Sequence, residues 1–207
     1  RCGAGKVTVL THPENVMLVA NGRPELMVRG VNGVSSEVKT LLEQADVILI
    51  GPGLGKTGWA NGLMQLVVES DKPTVVDADG LNWLAEHNYK KKNWILTPHP
   101  TEAARLLNQS TNHIQHNRFA AATELQAQFS GVVILKGCGS LIANQQGIKV
   151  CRAGNPGMAT AGMGDLLAGM CAAMLAQGYA TDVAAELAVN IHAKAGDLAA
   201  KQGERGM

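Results

Sequence analysis

The residues best suited to chemistry lie between Gly154 and Asp165, in the segment GNPGMATAGMGD. Glycines free its backbone at four positions, Gly154, Gly157, Gly162 and Gly164. A helix is predicted to begin at Asp165, and the unpaired N–H groups at a helix N-terminus, with the positive end of the macrodipole behind them, bind anions. We therefore expect an anion hole formed by Gly162, Met163 and Gly164.

Asp165 has two interpretations. As an ordinary first-turn or capping acid it would stabilise the helix by about 1 kcal/mol. A carboxylate beside an anion site, however, repels the ligand unless it is there to accept a proton. A general base next to an anion hole has such a purpose, so Asp165 is the predicted catalytic residue of a phosphoryl transfer.

A second loop of this kind follows the apolar run Val132 to Leu135 and reads Lys136-Gly137-Cys138-Gly139-Ser140. Two glycines around a small residue let the backbone approach a ligand closely, while the lysine supplies a charge and the serine a hydroxyl group. The simpler alternative is a plain turn.

A third glycine loop, GPGLGKTG, spans Gly51 to Gly58. It is not a P-loop, because only three residues separate Gly51 from Gly55. The dinucleotide pattern GxGxxG does fit Gly53, Gly55 and Gly58, and Asp77 follows near the position of a ribose-binding acid. An NAD dehydrogenase is therefore an alternative for this segment, as is a tight turn without a ligand.

His99 stands between Pro98 and Pro100 at the end of a predicted strand. The prolines would hold it rigidly, so we predict that it contacts a ligand, with Thr101 or Glu102 beginning the next helix.

The segment DADGLN ends the preceding strand at the same edge of the sheet. In it, Asp79 or Asn82 could cap a helix or hold a metal-bound water, and the sequence does not separate these roles.

The elements that must position these loops alternate between apolar strands and helices, which predicts an α/β fold with a mostly parallel sheet covered on both faces. The predicted strands are Lys6 to Leu10, Val47 to Ile50, Thr74 to Val76, Trp94 to Leu96 and Val132 to Leu135. The predicted helices are 35–45, 57–69, 81–86, 101–107 and 113–129.

The last third of the chain reads differently. Ser140 to Ala143 and Gly147 to Cys151 are predicted to form a hairpin, followed by helices at 165–177 and 182–201, the second capped by Thr181-Asp182. We find no linker, so residues 1–207 are expected to form one domain.

Composition limits the partners. The net charge is +1 and aromatic residues make up only 3%, which disfavours nucleic acid. The cationic run Lys90 to Lys92 is read as a solvated turn. The four scattered cysteines predict neither a zinc site nor a disulfide framework, and no apolar run suits a membrane span, so we expect a cytoplasmic protein.

Taken together and in this order, GPGLG, DADGLN, LTPHPTEAARLL, KGCGS and NPGMATAGMGDLLAG resemble the carbohydrate-kinase-like domain of the ADP-dependent NAD(P)H-hydrate dehydratases, which have a ribokinase-like fold. The match spans essentially the whole chain. The resemblance implies repair of NADHX and NADPHX, the hydrated forms of the reduced nicotinamide cofactors. ADP, or ATP in eukaryotic relatives, would phosphorylate the added hydroxyl group with Mg²⁺, and phosphate would then be eliminated.

By position, the resemblance assigns the hydrate to Gly53, His99 and Asp165, with Asp165 as the base. It assigns the nucleotide to Lys136, Gly137, Cys138, Gly139, Ser140 and Gly164. No side chain is assigned as a metal ligand, and a homo-oligomer, a tetramer or larger, is implied.

The chain departs from the family pattern in two ways. Thr101 stands where the family usually has glycine, and the family's first strand and last stretch are missing, so we expect a fragment truncated at both ends. It could come from a bifunctional protein with a preceding epimerase domain. A small-molecule kinase of the same fold and a catalytically silent nucleotide-binding module remain alternatives.

Overall fold

The computed structural model describes residues 2–203. Its strands are β1 (Thr8–Thr11), β2 (Met27–Gly30), β3 (Ile48–Ile50), β4 (Thr74–Val76), β5 (Trp94–Leu96), β6 (Val132–Leu135), β7 (Leu141–Asn144) and β8 (Gly147–Val150). Its helices are α1 (Val16–Gly22), α2 (Ser36–Gln44), α3 (Gly58–Glu69), α4 (Asp79–Ala85), α5 (Pro100–Leu106), α6 (Thr111–His116), α7 (Arg118–Phe129), α8 (Met163–Ala176) and α9 (Thr181–Ala200). Short 3₁₀ turns lie at Pro13–Asn15 and Pro156–Met158.

The main sheet has the order β3-β4-β5-β6-β7-β8. Strands β3 to β6 are parallel, and β7 and β8 add an antiparallel hairpin at the end. Strands β1 and β2 pair separately and in parallel. The predicted mostly parallel α/β sheet is confirmed.

Strands β4, β5 and β6 of the main sheet are buried on both faces, as their continuous apolar sequences predict. Val76 and Leu96 pack into the core formed with α2 to α7, whereas their neighbours Val75 and Ile95 pack against α8 and α9. Alternate side chains point to opposite faces of a strand, so each strand anchors both helical layers. The loops at the strand ends are thereby fixed from both sides.

The structure corrects the predicted helices at three places. One helix over 113–129 is wrong, because Asn117 (φ −128°, ψ 46°) leaves the helical region and separates α6 from α7. The cap at Thr181-Asp182 is also wrong, because Ala180 occupies the capping position and Thr181 already lies inside the first turn. Helix α1 and strand β2 were not predicted; β2 is short and its side chains are half-buried to exposed, so it lacks an apolar run.

The run Lys90 to Lys92 is not simply a solvated turn. Lys91 Nζ donates to the carbonyl of Ser70 at 2.5 Å, just past the end of α3, and Lys90 Nζ donates to Ala127 in the last turn of α7. Lysines in such positions satisfy carbonyl groups left without helical partners. Burial lowers the pKa of Lys91.

No helix within residues 2–203 combines the length and the apolar character needed to cross a membrane.

Gly51, directly after β3, has φ +126°, and a Cβ there would lie 1.7 Å from the Asp77 carbonyl oxygen. We expect Gly51→Ala to lower the free energy of unfolding by about 2 to 4 kcal/mol, because strain and overlap add. Gly58→Ala is the control, since its Cβ would meet open space, and it should change stability by less than about 1 kcal/mol. Urea denaturation of both variants checks this, and equal stabilities would contradict it.

Candidate functional site

The site is built at the carboxyl ends of three parallel strands, where β4 is followed by Asp77, β5 leads through Pro98 to His99, and β6 is followed by Lys136. The Lys136 ammonium group lies 2.8 Å from Oδ1 of Asp77, whose side chain is only 1% exposed. The Lys136 N–H also donates to the carbonyl of Pro98 at 2.9 Å, which ties two strand ends together. The ammonium group is therefore held by a buried carboxylate.

A second carboxylate completes this cluster. Glu102 Oε2 lies 3.8 Å from Lys136 Nζ and accepts the backbone N–H of His99 at 2.7 Å. Because one lysine faces two buried carboxylates, these three groups carry a net negative charge.

His99 caps α5 with its ring. Its Nδ1 accepts the N–H groups of Thr101 and Glu102 at 3.1 and 3.3 Å, so a neutral ring carries its proton on Nε2. Nε2 lies 3.5 Å from Glu102 Oε1, and the side chain is 46% exposed. The helix begins at Pro100, one residue before Thr101 and two before Glu102, the two predicted starts. Because the side chain is partly exposed, its Nε2–H can donate to a ligand.

The loop from Lys136 to Ser140 has a left-handed backbone at Gly139 (φ +65°) and at Gly137 (φ +144°), where no side chain is strain-free. Ser140 Oγ donates to the Gly137 carbonyl at 3.2 Å, so its hydroxyl group shapes the loop itself. Cys138 is exposed.

Arg118, in the first turn of α7, is bound to this loop, a contact that the sequence did not predict. Its guanidinium group donates to the carbonyl groups of Leu135, Cys138 and Gly139. Burial lowers its pKa, with an opposing effect of Cys138. No sequence pattern pointed to it, because the helix predicted over 113–129 made Arg118 an interior residue.

If this loop binds ADP, as the resemblance implies, Arg118→Ala should weaken ADP binding by about 10-fold or more, because loss of its hydrogen bonds to the loop costs roughly 0.5 to 1.5 kcal/mol each. Arg118→Lys keeps the charge but lacks the planar guanidinium group, whose several N–H donors reach different carbonyl groups, so it should restore little of the affinity for ADP. Calorimetric titration with ADP measures this. Unchanged affinity in both variants would show that the loop holds its shape without Arg118.

The glycine-rich segment ends where α8 begins at Met163, so Asp165 is the third helical residue and is exposed. Within residues 2–203, the N–H groups of Gly164 and Asp165 have no hydrogen-bond partner, whereas that of Met163 makes a long bond of 3.4 Å to Thr160. Gly162 is left-handed (φ +86°). The predicted anion hole is therefore open at Gly164 and partly occupied at Met163.

Gly164 also joins this segment to the charged cluster. A Cβ atom on it would lie 3.1 Å from Lys136 Nζ and 3.8 Å from Asp77 Oδ2. Beneath them, burial, together with the charge of Asp77, raises the pKa of the Cys171 thiol to about 12. The thiol is therefore protonated and unreactive.

Helix α9 anchors the other end of the glycine-rich segment through residues that the sequence did not reveal. Asp197 accepts the N–H of Gly154 at 2.9 Å and the amide of Asn155 at 3.0 Å, and these hydrogen bonds lower its pKa. Beside it, a Cβ on Gly196 would lie 2.4 Å from Met158 Sδ. The segment thus packs tightly on α9.

The loop after β3 places Gly53 (φ +64°) at the same edge of the sheet. Asp79 neither caps α4 nor stands free, because its Oδ2 accepts the Gly55 N–H at 2.8 Å. Asn82 binds both Asp79 and Arg105, which links this loop to α5.

Among the described residues, the structure brings Lys136, Glu102, His99 and Gly164 into one cluster with Asp77. No hydrogen bond or ion pair within residues 2–203 joins Gly53 or Asp165 to it. The dehydrogenase alternative loses its ribose-binding acid, because Asp77 is buried against Lys136.

The family profile described as NAD(P)H-hydrate dehydratase matches residues 1–207. The chain is 51% identical to the bifunctional NAD(P)H-hydrate repair enzyme Nnr of Coxiella burnetii, covering 100% of this chain and 43% of that protein. It is 36% identical to the ADP-dependent (S)-NAD(P)H-hydrate dehydratase of Neisseria meningitidis, covering 95% and 68%. The chain spans about two fifths of the length of its bifunctional relatives.

A solved structure gives the same result. The ADP/ATP-dependent NAD(P)H-hydrate dehydratase from Bacillus subtilis, co-crystallised with ATP and Mg²⁺, superposes with a TM-score of 0.87 at 29% identity, covering 100% of this chain and 77% of that one. Hydroxyethylthiazole kinase from Pyrococcus horikoshii, at 15% identity and a TM-score of 0.70, shares the fold alone. The resemblance seen in the five motifs is confirmed, and the chain belongs to the NAD(P)H-hydrate dehydratase family.

Proposed function

We propose that this chain catalyses the ADP- or ATP-dependent dehydration of NADHX and NADPHX to NADH and NADPH. The observation that carries the proposal is the meeting of Lys136, at the head of the KGCGS loop, with Gly164, at the open end of α8. That meeting would place a phosphate-binding loop beside an anion hole, with Asp165 next along the helix. Family membership supports the substrate class.

In the proposed reaction, Asp165 accepts the proton of the hydrate's hydroxyl group. The oxygen attacks the terminal phosphorus of the nucleotide, a P–O bond forms, and the bond from that phosphorus to the bridging oxygen breaks. In the second step the C–O bond breaks and phosphate leaves with the electron pair of that bond, while a neighbouring carbon gives a proton to water and the C–H electrons form the double bond. Phosphorylation thus turns hydroxide, a poor leaving group, into a good one.

The nucleotide would lie on the backbone of Lys136 to Ser140, with its terminal phosphate near the N–H groups of Gly164 and Asp165. Lys136 would contribute positive charge where negative charge develops. His99, through Nε2–H, and Gly53 would contact the hydrate. Because Glu102 binds both His99 and Lys136, it would fix the position of the hydrate site relative to the nucleotide site.

Residues 2–203 contain no cluster of three side chains suited to a metal ion. The oxygen donors present nevertheless suit Mg²⁺, which usually keeps several waters and binds substrate phosphates plus one or two carboxylates. The exposed Asp165 carboxylate is the group that would hold its waters. When bound, the ion supplies positive charge to the phosphates.

The proposal extends to a cytoplasmic homo-oligomer, a tetramer or larger. It is supported by an apolar surface on α1, where Met17 and Leu18 are 68% and 75% exposed. Light scattering of the purified protein would measure the assembly, and a monomer would contradict it.

The decisive experiment gives the full-length protein NADHX with ADP or ATP and follows the absorbance of the dihydronicotinamide, together with release of inorganic phosphate. We expect recovery of NADH with one phosphate released per NADH formed. A small-molecule kinase of the same fold would accumulate a stable phosphorylated product, and a silent module would bind ADP without turnover. No recovery with either nucleotide would overturn the proposal.

A further inference from the structure

A cavity of about 370 Å³ lies beside Gly53, and the other residues that line it have no part in the proposed reaction. Its walls are Thr11, His12, Asn15, Gly53, Leu54, Thr57 and Trp59. Thr11 and His12 follow β1, while Gly53 and Leu54 follow β3, so the cavity opens at the ligand-binding edge of parallel strands. Its volume falls at the small end of the range for ligand pockets, roughly 300 to 1,000 Å³.

The aromatic wall of this cavity is held in a fixed orientation. The indole Nε1–H of Trp59 donates to the Val31 carbonyl at 2.7 Å, which settles the plane of the ring. The imidazole of His12 stands edge-on to it, with ring centroids 6.3 Å apart and an interplanar angle of 69°. Trp59 is half-buried and packs on the core with part of its surface. A flat aromatic ligand can stack on such a ring.

Polar side chains complete the lining. Within residues 2–203, the side chains of Thr11, Asn15 and Thr57 have no hydrogen-bond partner, and Thr57 precedes α3 without capping it. Two hydroxyl groups and an amide can donate to and accept from both a heterocyclic base and a ribose. An aromatic face with several free hydrogen-bonding groups suits a nucleoside better than a purely apolar ligand.

We infer that this cavity binds the second nucleoside of the dinucleotide hydrate, the adenosine half, which does not react. The inference rests on the proposed function, which places the hydrated nicotinamide at Gly53 and Asp165 and the co-substrate nucleotide on Lys136 to Ser140. The remaining half of the substrate then needs a place of its own. The cavity shares Gly53 with the substrate site, and none of the residues that line it is assigned to the co-substrate nucleotide.

The test compares the full-length protein with Trp59→Leu, which keeps apolar bulk against the core, and with Thr57→Val, which exchanges an exposed hydroxyl group for a methyl group. Each is titrated calorimetrically with NADHX and with the hydrate of reduced nicotinamide mononucleotide, which lacks the adenosine half. Tyr179→Leu, an exposed aromatic residue between α8 and α9, is the matched control. Thermal denaturation identifies any variant that fails to fold.

We expect Trp59→Leu to weaken NADHX binding by about 10-fold or more, as loss of a stacked base does, and to leave binding of the mononucleotide hydrate and of ADP unchanged. Thr57→Val should weaken NADHX binding by about 2- to 10-fold. Tyr179→Leu should match the wild type. If Trp59→Leu does not fold, Thr57→Val alone decides.

Equal affinities in all variants, or equal losses for both hydrates, would overturn the inference, because the cavity would then not distinguish the adenosine half. Failure of the proposed function gives another pattern. Wild-type protein would then bind NADHX more tightly than the mononucleotide hydrate without producing NADH, or would not bind NADHX at all. The first of these results would leave the cavity assigned, and the second would remove both proposals.

Discussion

Asp165→Asn is expected to lower kcat by about 10³-fold, the typical contribution of a positioned general base. Asparagine has nearly the same shape as aspartate but cannot accept the proton of the hydroxyl group. The N–H groups of Gly164 and of residue 165 itself belong to the backbone and survive the substitution. ADP affinity should therefore stay within a few-fold of wild type while turnover is lost.

The matched control is Asp182→Asn, because Asp182 is also a first-turn acid, at the start of α9. Both variants lose the same favourable interaction with a helix N-terminus, worth roughly 0.3 to 1 kcal/mol, but only Asp165 lies beside the anion hole. Stopped-flow or steady-state absorbance of the dihydronicotinamide, paired with ADP titration, separates the two effects. If Asp165→Asn retained a tenth or more of the wild-type kcat, Asp165 would not be the base.

The sequence predicted those parts of the site that have local signatures. Glycine loops, a histidine between prolines and an acid at the start of a helix are each contained in a few consecutive residues, and parallel strands bring their carboxyl ends to one edge. The loops at Gly53, His99, Lys136 and Gly164 could therefore be located before the structure was known.

The remaining parts depend on pairs that are distant along the chain. Lys136 and Asp77 are 59 positions apart, and Asp197 lies 43 positions from Gly154. Nothing in the local pattern of either partner indicates the other, since an aspartate after a strand is equally suited to bind ribose or to pair with a lysine. The dehydrogenase hypothesis therefore assigned Asp77 to a ribose, whereas it pairs with Lys136. No sequence pattern pointed to Asp197.

The same contrast between features with a local sequence signature and features without one applies to the fold. Apolar runs predicted the strands that are buried on both faces, whereas β2, which is more exposed, was missed. The division of 113–129 into two helices depends on a single residue, Asn117, whose conformation is not visible in helical periodicity. That division is important for the site, because it makes Arg118 a first-turn residue of α7, from which it reaches the Lys136 loop.

The cluster of Lys136, Asp77 and Glu102 has a consequence for stability as well as for binding. Removing the ammonium group by Lys136→Met leaves the Asp77 carboxylate buried without its counter-charge. We expect the free energy of unfolding at pH 7, without nucleotide, to fall by about 3 to 5 kcal/mol, the usual cost of leaving a buried charge unpaired. Urea denaturation measures it.

Comparison with an exposed ion pair shows whether burial causes the expected loss of stability in Lys136→Met. Lys149 pairs with Glu186 at a position where the lysine is 63% exposed, so Lys149→Met should cost less than about 1 kcal/mol. The double variant Lys136→Met with Asp77→Asn removes the orphaned charge and should recover a large part of the lost stability. If Lys136→Met cost no more than Lys149→Met, the two buried carboxylates would already be neutral without the lysine. The net negative charge assigned to this end of the sheet would then have to be abandoned.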